Sequence, residues 1–470
     1  MEKGTNENIL KIIESQRSFF KSGRSLPVTF RKQMLLKLLN AIEANEKDLS
    51  DALWEDMHKS YEEAYLTEFS IVKEEIRCHL KHLSQWSARK KASTPLKLQP
   101  ARSYIVKEPL GNTLIISPWN YPVQLLLCPL IGAISAGCTA VLKPSPYVPN
   151  VSAALAKMIK GCFNEEYIAV IQGNREVNTL LLEQRWDLIF FTGSPSLGKT
   201  VMAAAAKNLT PVILELGGKS PCIIDKSASI EIASRRIAWG KTLNCGQTCI
   251  APDYIIIHKD VKERFIKAFK EELDKLHREN NYPANNKIFP DRYYAHIINE
   301  KAFDRLVSYL NDGKIIFGGK YDRENLLIEP TLIDIDSCDV PVMQEEIFGP
   351  ILPLITFDET TVPFKDKVLE FLKSKEKPLA LYYFGKEEEG WDIIAGTSSG
   401  GGCINDVIMH IANENLPFGG VGNSGMGHYH NKESFECFSH SRSILCSGTW
   451  PDFPFRYMPY RFFSLIKKIV

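Results

Sequence analysis

The stretch DLIFFTGSPSLGKT (residues 187–200) joins an apolar run to a glycine-bearing turn, and the helix-forming segment VMAAAAK follows it. An apolar run of this length is typical of a buried parallel strand. The N-terminus of a helix that follows such a turn carries free N–H groups and a positive dipole end. The stretch therefore predicts a strand, turn and helix of an α/β sheet, with an anion-binding turn near Ser194.

This turn is compatible with two kinds of nucleotide. Residues Gly193 to Thr200 match GxxxxGK[ST], the phosphate loop of nucleoside triphosphatases, and Asp225 after a later apolar run could bind magnesium. Pro195 argues against that function because it removes one amide from a loop that works by pointing N–H groups at phosphate. The turn suits a dinucleotide as well, and these residues alone leave both possibilities open.

The chain on either side of this stretch indicates the fold class. The first 90 or so residues carry helical spacing, with Leu35, Leu38 and Ile42 on one face after Pro27. From about residue 103 onward, apolar runs alternate with helical segments; the runs are TLIIS, TAVLKP, YIAVIQG, DLIFFTG, PVILELGG, PCIID and DYIIIH. This alternation predicts α/β layers with parallel strands.

Composition limits the classes of function. A length of 470 residues predicts at least two domains, and 57 basic against 56 acidic residues argue against nucleic acid as the main partner. The 11 cysteines lack paired spacing, which predicts a reducing compartment. We find no basic leader and no long uncharged apolar run, so we expect a cytoplasmic protein without an integral membrane segment.

A second glycine motif is misleading. GVGNSG (residues 420–425) matches GxGxxG, the dinucleotide fingerprint. It follows ENLPF, which does not resemble a buried strand, so we interpret it as a flexible glycine-rich loop.

Two cysteines stand four apart in LNCGQTCIAPDY (residues 243–254). Cys245 or Cys249 could be a reactive thiolate, half of a metal site, or part of a turn. A zinc site needs a paired CxxC or HxxxH partner that the sequence lacks, so we predict no metal. His428 and His430 are expected at the surface or at an interface.

Eight stretches in order carry a specific resemblance. They are SPWNYP (117–122), AVLKPS (140–145), FTGSPSLGK (191–199), LELGGKSP (214–221), GQTCIAPDY (246–254), QEEIFGP (344–350), PFGGVGNSGMG (417–427) and SFECFSHSRS (434–443). The chain resembles the NAD(P)-dependent aldehyde dehydrogenases along essentially its whole length, most closely their class 3 branch. The resemblance makes Gly193 part of a pyrophosphate turn and Lys199 an ordinary helix residue.

The resemblance implies a catalytic set. Cys249 is the nucleophile that forms a thiohemiacetal and then a thioester, and Cys245 is a spectator. The Asn120 amide and the Cys249 N–H would stabilise the oxyanion. Glu215 is the base that activates water, with Glu345 as a reserve candidate for proton transfer.

The same resemblance implies a binding site for NAD or NADP. Ser117 and Trp119 would line its nicotinamide end, and Lys143 would hold an adenosine ribose hydroxyl. The remaining implied residues are Gly193, Ser194 and Gly198 at the pyrophosphate, Leu216 beside it, and Glu346 with Phe348 at the nicotinamide ribose and ring.

One position departs from the family pattern. Many relatives have a glutamate three residues after the lysine, where it grips the ribose 2′-hydroxyl and repels a 2′-phosphate. Here that position is Pro146. We therefore predict relaxed use of NAD and NADP, weighted slightly toward NAD.

The predicted architecture has three parts. Residues 1–88 and 107–216 form a Rossmann-like open-sheet nucleotide-binding domain, and residues 217–422 form an α/β catalytic domain. Residues 89–106 and 423–470 form a small oligomerisation arm and C-terminal tail, and class 3 relatives imply a homodimer. The aromatic, basic tail favours packing across a neighbouring subunit over contact with a membrane surface.

Three rival functions are distinguishable. A phosphate-loop ATPase would depend on Lys199, and a non-catalytic protein of this fold would have lost Cys249, Glu215 and Asn120. Transfer of the thioester to coenzyme A is disfavoured by Glu215, since such an enzyme has less need to activate water. Tyr121 and Leu125 point weakly to medium-chain or aromatic aldehydes.

Overall fold

The computed structural model describes residues 3–279, 293–452, 456–460 and 462–467. Its α-helices are α1 (Lys3–Lys21), α2 (Val28–Met57), α3 (Tyr61–Ala64), α4 (Ser70–Trp86), α5 (Gln124–Ala136), α6 (Pro149–Cys162), α7 (Arg175–Leu182), α8 (Pro195–Ala206), α9 (Ile230–Thr242), α10 (Lys262–Glu279), α11 (Glu300–Ser308), α12 (Phe364–Lys373), α13 (Glu387–Gly396), α14 (Lys432–Cys437) and α15 (Phe463–Ile466). Its strands are β1 (Lys90–Ala92), β2 (Arg102–Pro109), β3 (Asn112–Ile116), β4 (Thr139–Lys143), β5 (Ile168–Val170), β6 (Leu188–Gly193), β7 (Val212–Leu216), β8 (Pro221–Ile224), β9 (Tyr254–His258), β10 (Lys314–Phe317), β11 (Tyr321–Asp322), β12 (Leu327–Ile328), β13 (Thr331–Asp334), β14 (Ile351–Phe357), β15 (Ala380–Phe384), β16 (Gly401–Ile404), β17 (Gly425–Met426) and β18 (Ser439–Cys446).

The first sheet has the order β17-β7-β6-β3-β4-β5. Strands β3 to β7 are parallel, and β17 adds an antiparallel edge. Its register pairs Ile116 with Lys143 and Gly193 with Leu216, so the carboxyl ends of four strands meet at one edge. That edge is where open α/β sheets bind ligands. The apolar runs predicted as strands all form strands, which confirms the fold class.

Helix α5 forms the centre of the first layer. All of its residues from Gln124 to Ala136 are buried, between the sheet and the N-terminal helices α2 and α4. A helix that is apolar on every side needs cover on every side. The N-terminal helices α2 and α4, which the sequence predicts, pack over α5. They thereby fix the loop that precedes it.

The second sheet has the order β10-β13-β14-β9-β8-β15-β16, with all neighbours parallel except β10 and β13. Only residues 217–220 separate β7 of the first sheet from β8 of the second. The two sheets are therefore joined directly beside Glu215.

A third sheet, β1-β2-β18, contains strands from both pieces of the predicted arm. Strands β2 and β18 pair from Arg102 with Cys446 to Pro109 with Ser439. Its role in dimerisation stays a prediction. In the tail, Trp450 and Met458 are exposed in the single chain. Within the described residues, no helix combines the length and apolarity that crossing a bilayer requires.

The GVGNSG segment forms a short 3₁₀ turn, Gly422–Ser424, followed by β17. Residues 425 and 426 pair with β7, so this piece of the predicted tail extends the nucleotide-binding sheet. Gly425 has φ +145°, and a Cβ there would lie 2.2 Å from the Leu214 carbonyl oxygen. Glycine at position 425 thus lets the two backbones approach closely. As predicted, no buried strand leads into the motif.

Candidate active site

Two cavities meet at Cys249. One, of about 720 Å³, extends along the carboxyl edge of the first sheet. The other, of about 640 Å³, runs between the N-terminal helices and the 409–431 region. Both are lined by Leu125, Cys249, Phe418 and Tyr429. A thiol in this position can react with a molecule in one cavity while a second molecule occupies the other.

A left-handed turn presents this thiol. Helix α9 ends at Thr242, and Asn244, Cys245 and Gly246 follow with φ of 51°, 55° and 71°. Such backbone is strained for residues other than glycine and concentrates at functional sites. A Cβ on Gly246 would lie 2.3 Å from the Gly349 carbonyl oxygen, so the turn also packs closely on the QEEIFGP segment.

The Cys249 thiol is half-buried, and its surroundings keep it protonated. Burial raises its pKa, and the nearby carboxyl groups of Glu346 and Glu215 raise it further. The backbone amides of Cys249 and Ile250 act in the opposite direction. The thiol therefore needs a base or a positive charge beside it before it can react as a thiolate.

Glu215 lies near the carboxyl end of β7 and lines the first cavity. It is buried, and neither carboxyl oxygen has a hydrogen-bond partner among the described residues. Burial raises its pKa well above the ordinary value. A carboxyl group held in this way is available to exchange a proton with a water or a substrate.

Asn120 is held between the two sheets. It lies in the loop between β3 and α5, which we call the Asn120 loop (residues 117–123). Its Nδ2 donates to the Gln247 carbonyl oxygen at 3.1 Å. The backbone carbonyl oxygen of Asn120 accepts from Lys59 Nζ and Asn244 Nδ2, each at 2.9 Å. The amide has a second N–H, and Asn120 lines the first cavity beside Cys249.

The pyrophosphate turn is too short for a phosphate loop. Helix α8 begins at Pro195, directly after the N-cap Ser194, so Ser196 to Lys199 are helical and cannot wrap a phosphate. Lys199 is exposed. Asp225 lies on the second sheet, where its Oδ1 accepts from the Ser227 amide and hydroxyl. These positions exclude the triphosphatase interpretation and leave Gly193 and Ser194 in the cavity wall.

The packing beneath this turn explains Gly198. A Cβ there would lie 2.7 Å from Leu216 Cδ2, so glycine lets α8 approach β7. Close helix-to-strand packing of this kind is one of the glycine roles in dinucleotide sites. Leu216 lines the cavity, whereas Gly198 lies beneath it.

The other end of the first cavity fits a nicotinamide ring. The rings of Trp119 and Phe348 meet edge to face with centroids 5.4 Å apart. A Cβ on Gly217 would lie 1.9 Å from Glu346 Oε2, so glycine is needed where this carboxyl group reaches the chain. Burial, together with the nearby charge of Asp253, raises the pKa of Glu346 to about 8. A nicotinamide dinucleotide has a flat ring, ribose hydroxyls and a pyrophosphate. The aromatic side chains, the carboxyl group and the amides at the start of α8 are groups of the kind that bind these three parts, in that order.

Two predicted cofactor residues lie behind the cavity wall. Ser117 and Lys143 are both buried and do not line the first cavity. Lys143 Nζ donates to the adjacent Pro144 carbonyl oxygen at 2.8 Å, and burial lowers its pKa to about 8. Both stand at strand ends of the ligand-binding edge, so their roles stay predictions. Pro146 is exposed three residues after Lys143.

The reserve candidate Glu345 is already engaged. Its Oε1 accepts from the Tyr309 hydroxyl at 2.6 Å and from Arg305 Nη1 at 3.4 Å. Its exposure and these bonds contrast with the buried, unbonded carboxyl group of Glu215. We therefore keep Glu215 as the candidate base.

Cys245 is separated from the cavities. It is fully buried in a cluster with Tyr254 and Tyr294, and it lines neither cavity. Burial raises the pKa of its thiol to about 12. Its neighbour Cys249 packs against a different cluster. These surroundings suit a structural thiol.

The prediction that His430 lies at a surface is wrong. His430 is buried, its Nδ1 lies 2.7 Å from Glu75 Oε2, and Ser434 and Asn431 also donate to the Glu75 carboxylate. Burial opposes ionisation of Glu75, but His430 and these donors lower its pKa to about 2. His428, two residues earlier, is exposed as predicted. The left-handed backbone at His430 and Asn431 turns the first side chain inward, which alternation along a strand could not predict.

The second cavity is lined by residues of the sequence motifs and also by residues that no motif indicates. Tyr121 lines it, and the Tyr121 hydroxyl lies 2.6 Å from the Thr248 Oγ1. Trp239, Met409 and Tyr429 line it from distant parts of the chain. Tyr121 stands beside Asn120 in a motif and could be found from sequence. Trp239 and Met409 carry no such signal.

A thiol between two cavities, with a buried carboxyl group and an amide beside it, fits the class of nicotinamide-dependent dehydrogenases. The sequence comparisons agree with this class. The model of the aldehyde dehydrogenase family matches residues 1–444, and the chain belongs to that family. It is an NAD(P)-dependent aldehyde dehydrogenase, and such enzymes oxidise aldehydes to carboxylic acids.

Known relatives cover nearly the whole chain. The 4,4'-diaponeurosporen-aldehyde dehydrogenase of Staphylococcus aureus is 44% identical over 96% of this chain and 97% of its own length. The dimeric NADP-preferring aldehyde dehydrogenase of Canis lupus familiaris is 43% identical over 93% and 94%. A substrate-bound structure of Staphylococcus aureus AldH has a TM-score of 0.93 at 43% identity, covering 98% of this chain and 99% of its own. Other matches bear family 3 names, which agrees with the predicted branch.

Proposed function

We propose that Cys249 captures the aldehyde as a covalent thiohemiacetal, which is oxidised to a thioester and hydrolysed by water that Glu215 activates. The observation that supports this most directly is the position of Cys249 at the junction of the two cavities. An aldehyde in the second cavity and a nicotinamide in the first would both reach the sulfur.

The capture step forms a bond between Cys249 Sγ and the carbonyl carbon. The thiol releases its proton to solvent water, the C=O π bond opens, and the carbonyl oxygen takes the negative charge. The Asn120 amide lines the same cavity, and the Cys249 N–H belongs to the residue that attacks. Losing one such donor typically raises the barrier by roughly 3 to 4 kcal/mol. Covalent capture is needed because an aldehyde carbon has no alkoxide oxygen to expel a hydride, and the thiohemiacetal supplies one.

The oxidation step requires the dinucleotide, which accepts the hydride when it is bound in the first cavity. Trp119, Phe348 and Glu346 would hold its nicotinamide end, and Gly193, Ser194 and Leu216 would contact the pyrophosphate region. Ser117 and Lys143 would act from the strand ends behind that wall. The residues so placed orient the ring and keep water away from the thiohemiacetal.

The hydrolysis step leaves the acid. Glu215 takes a proton from water, the resulting hydroxide attacks the thioester carbon, and the Cys249 sulfur leaves. The buried, unbonded state of Glu215 supports this role because a raised pKa makes its carboxylate a stronger base.

The second cavity supports an apolar substrate. Tyr121, Leu125, Trp239 and Met409 line it, and its volume of about 640 Å³ suits a medium-length or aromatic chain. The Staphylococcus aureus relative is named for 4,4'-diaponeurosporen-aldehyde. We further propose a cytoplasmic homodimer, in keeping with the dimeric relative from Canis lupus familiaris.

The test compares Cys249→Ala with Cys245→Ala. Both remove one thiol, four residues apart, from the same turn. We expect Cys249→Ala to abolish reduced-nicotinamide formation from hexanal and benzaldehyde, while Cys245→Ala keeps the activity within a few-fold. Equal activity of Cys249→Ala and the unmodified enzyme would contradict the proposal.

A further inference from the structure

A buried ion pair lies behind the active site and outside the implied catalytic set. Lys59 follows α2, and Glu68 lies in a single π-helical turn, Tyr65–Phe69, between α3 and α4. Lys59 Nζ donates to Glu68 Oε1 at 2.8 Å, and both side chains are 0% exposed. Single π-helical turns are frequent at functional sites.

Both members of this pair contact the Asn120 loop. Lys59 Nζ donates to the Asn120 carbonyl oxygen at 2.9 Å and lies 4.3 Å from the ring centroid of Tyr121. Glu68 Oε2 accepts from the Val123 amide at 2.8 Å and the Gln124 amide at 3.3 Å. A carboxylate at that point caps the N-terminus of α5. The pair therefore fixes the loop at its middle and at its end.

We propose that Lys59 and Glu68 are positioning residues that aim the Asn120 side-chain amide at the oxyanion. This inference rests on the proposed function, in which Asn120 donates to that oxyanion. The pair holds the Asn120 backbone, and the Gln247 carbonyl oxygen holds one side-chain N–H at 3.1 Å. With the backbone and one N–H fixed, the direction of the second N–H is fixed as well.

A stability role alone does not account for this arrangement. Taking two charges out of water costs about as much as their attraction returns, so well-packed apolar residues are often as stable as a buried ion pair. The pair instead supplies directed hydrogen bonds to backbone groups of one catalytic loop. A misplacement of about 1 Å at a reacting centre can cost on the order of 100-fold in rate.

The experiment replaces the pair by apolar residues. In the double variant Lys59→Met/Glu68→Leu, both charges of the pair are removed together, so neither remains buried without the other and the protein should fold. We expect kcat to fall on the order of 10- to 100-fold, with little change in the NAD or NADP dissociation constant. The rate of Cys249 alkylation by iodoacetamide should change less than two-fold or so, because the thiol's own turn is intact.

A double-mutant cycle with Asn120→Ala separates positioning from general disruption. If the pair acts through Asn120, its replacement in the Asn120→Ala background should have little further effect on kcat. The loss of thermal stability, by contrast, should be about the same in both backgrounds. Losses of kcat that are non-additive, together with losses of thermal stability that are additive, are expected only if the pair positions Asn120.

A second ion pair nearby, between α2 and α4, gives the control. Glu46 of α2 and Lys73 of α4 form a largely buried contact that does not touch the Asn120 loop. Glu46→Leu/Lys73→Met should lower stability to a similar extent without lowering kcat.

Unchanged kcat in Lys59→Met/Glu68→Leu would overturn the inference, and so would fully additive rate losses in the cycle. The proposed function fails separately. In that case the unmodified enzyme would not oxidise aldehydes, or Asn120→Ala would keep full kcat.

Discussion

The Asn120 side-chain amide donates to the backbone carbonyl oxygen of Gln247 at 3.1 Å, two residues before Cys249. Asn120 follows a strand of the first sheet, and Gln247 belongs to the turn that leads to the second. Gln247 is itself fixed, since its Nε2 donates to the carbonyl oxygens of Asn244 and His296. The two sheets are thus locked together at the point where an oxyanion would form, which preorganises the site.

Replacing Glu215 by Gln should separate the two halves of the reaction. We expect a burst of about one reduced nicotinamide per active site, followed by steady turnover lowered on the order of 100- to 1,000-fold, because in the proposed mechanism Glu215 acts as the base in hydrolysis and not in hydride transfer. Stopped-flow absorbance measures both phases. The control variant Glu345→Gln changes a carboxyl group that is already hydrogen-bonded to Tyr309. Its turnover should stay within a few-fold of that of the unmodified enzyme. Loss of the burst in Glu215→Gln would argue against this division of roles.

The same base predicts the direction of the pH dependence. Burial raises the pKa of Glu215, and only its deprotonated form can take a proton from water. Steady turnover should therefore rise with pH through the range in which Glu215 loses its proton, which lies above the ordinary range of a carboxyl group. The residual turnover of Glu215→Gln should lack that rise, and an identical profile in both proteins would assign the titration to another group.

Pro146 should control the choice of dinucleotide. An acid at the exposed position 146, three residues after Lys143, would face a ribose 2′-phosphate if Lys143 holds the adenosine ribose as predicted. We expect Pro146→Glu to lower kcat/KM with NADP by about 10-fold or more through charge repulsion, while NAD changes by a few-fold at most. Because each protein is assayed with both dinucleotides, the ratio is its own control. An unaltered ratio would place the 2′ position elsewhere.

Lys199 should be dispensable. Since it is exposed on a helix that begins before it, Lys199→Ala should keep aldehyde oxidation within about two-fold and change stability by no more than about 0.5 kcal/mol. Steady-state rates and thermal unfolding check this. A loss of activity with release of phosphate from ATP in the unmodified protein would revive the triphosphatase interpretation.

His79 should make stability depend on acid. It is fully buried, and burial lowers its pKa from 6.5 to about 4. Between these values the unfolded chain binds more protons than the folded one, so stability is present above about pH 6.5 and is lost as the pH falls toward 4. The loss between pH 8 and pH 5 should be about 2 kcal/mol, and His79→Gln should lack it. Urea unfolding at the two pH values measures this, with His428→Gln at an exposed site expected to behave like the unmodified protein.

The motifs of the chain predict much of the site. Strand DLIFFT and the helix after Gly193 lie where expected, because a buried parallel strand and a helix N-terminus are local properties of a few residues. Cys249, Glu215 and Asn120 converge because each motif sits at a strand end or beside one. The family resemblance, and not periodicity, supplied their roles.

Other features could not be read in this way. GxxxxGK[ST] matches at Gly193, yet the helix begins at Pro195, so only the backbone shows that no phosphate loop forms. His430 was misplaced because its left-handed backbone turns it toward Glu75, a residue 355 positions away.

By itself the sequence determined the alternation of strands and helices, since this depends on side-chain type and short spacing, and its family resemblance predicted the nucleophile Cys249 and the dinucleotide turn. Only the tertiary structure decided which carboxyl group is buried without a hydrogen-bond partner and that one thiol lines two cavities. It also decided that Lys59 and Glu68 form hydrogen bonds with the Asn120 loop. Those properties depend on burial and on contacts between residues far apart in the chain, and the local pattern of a sequence does not encode either.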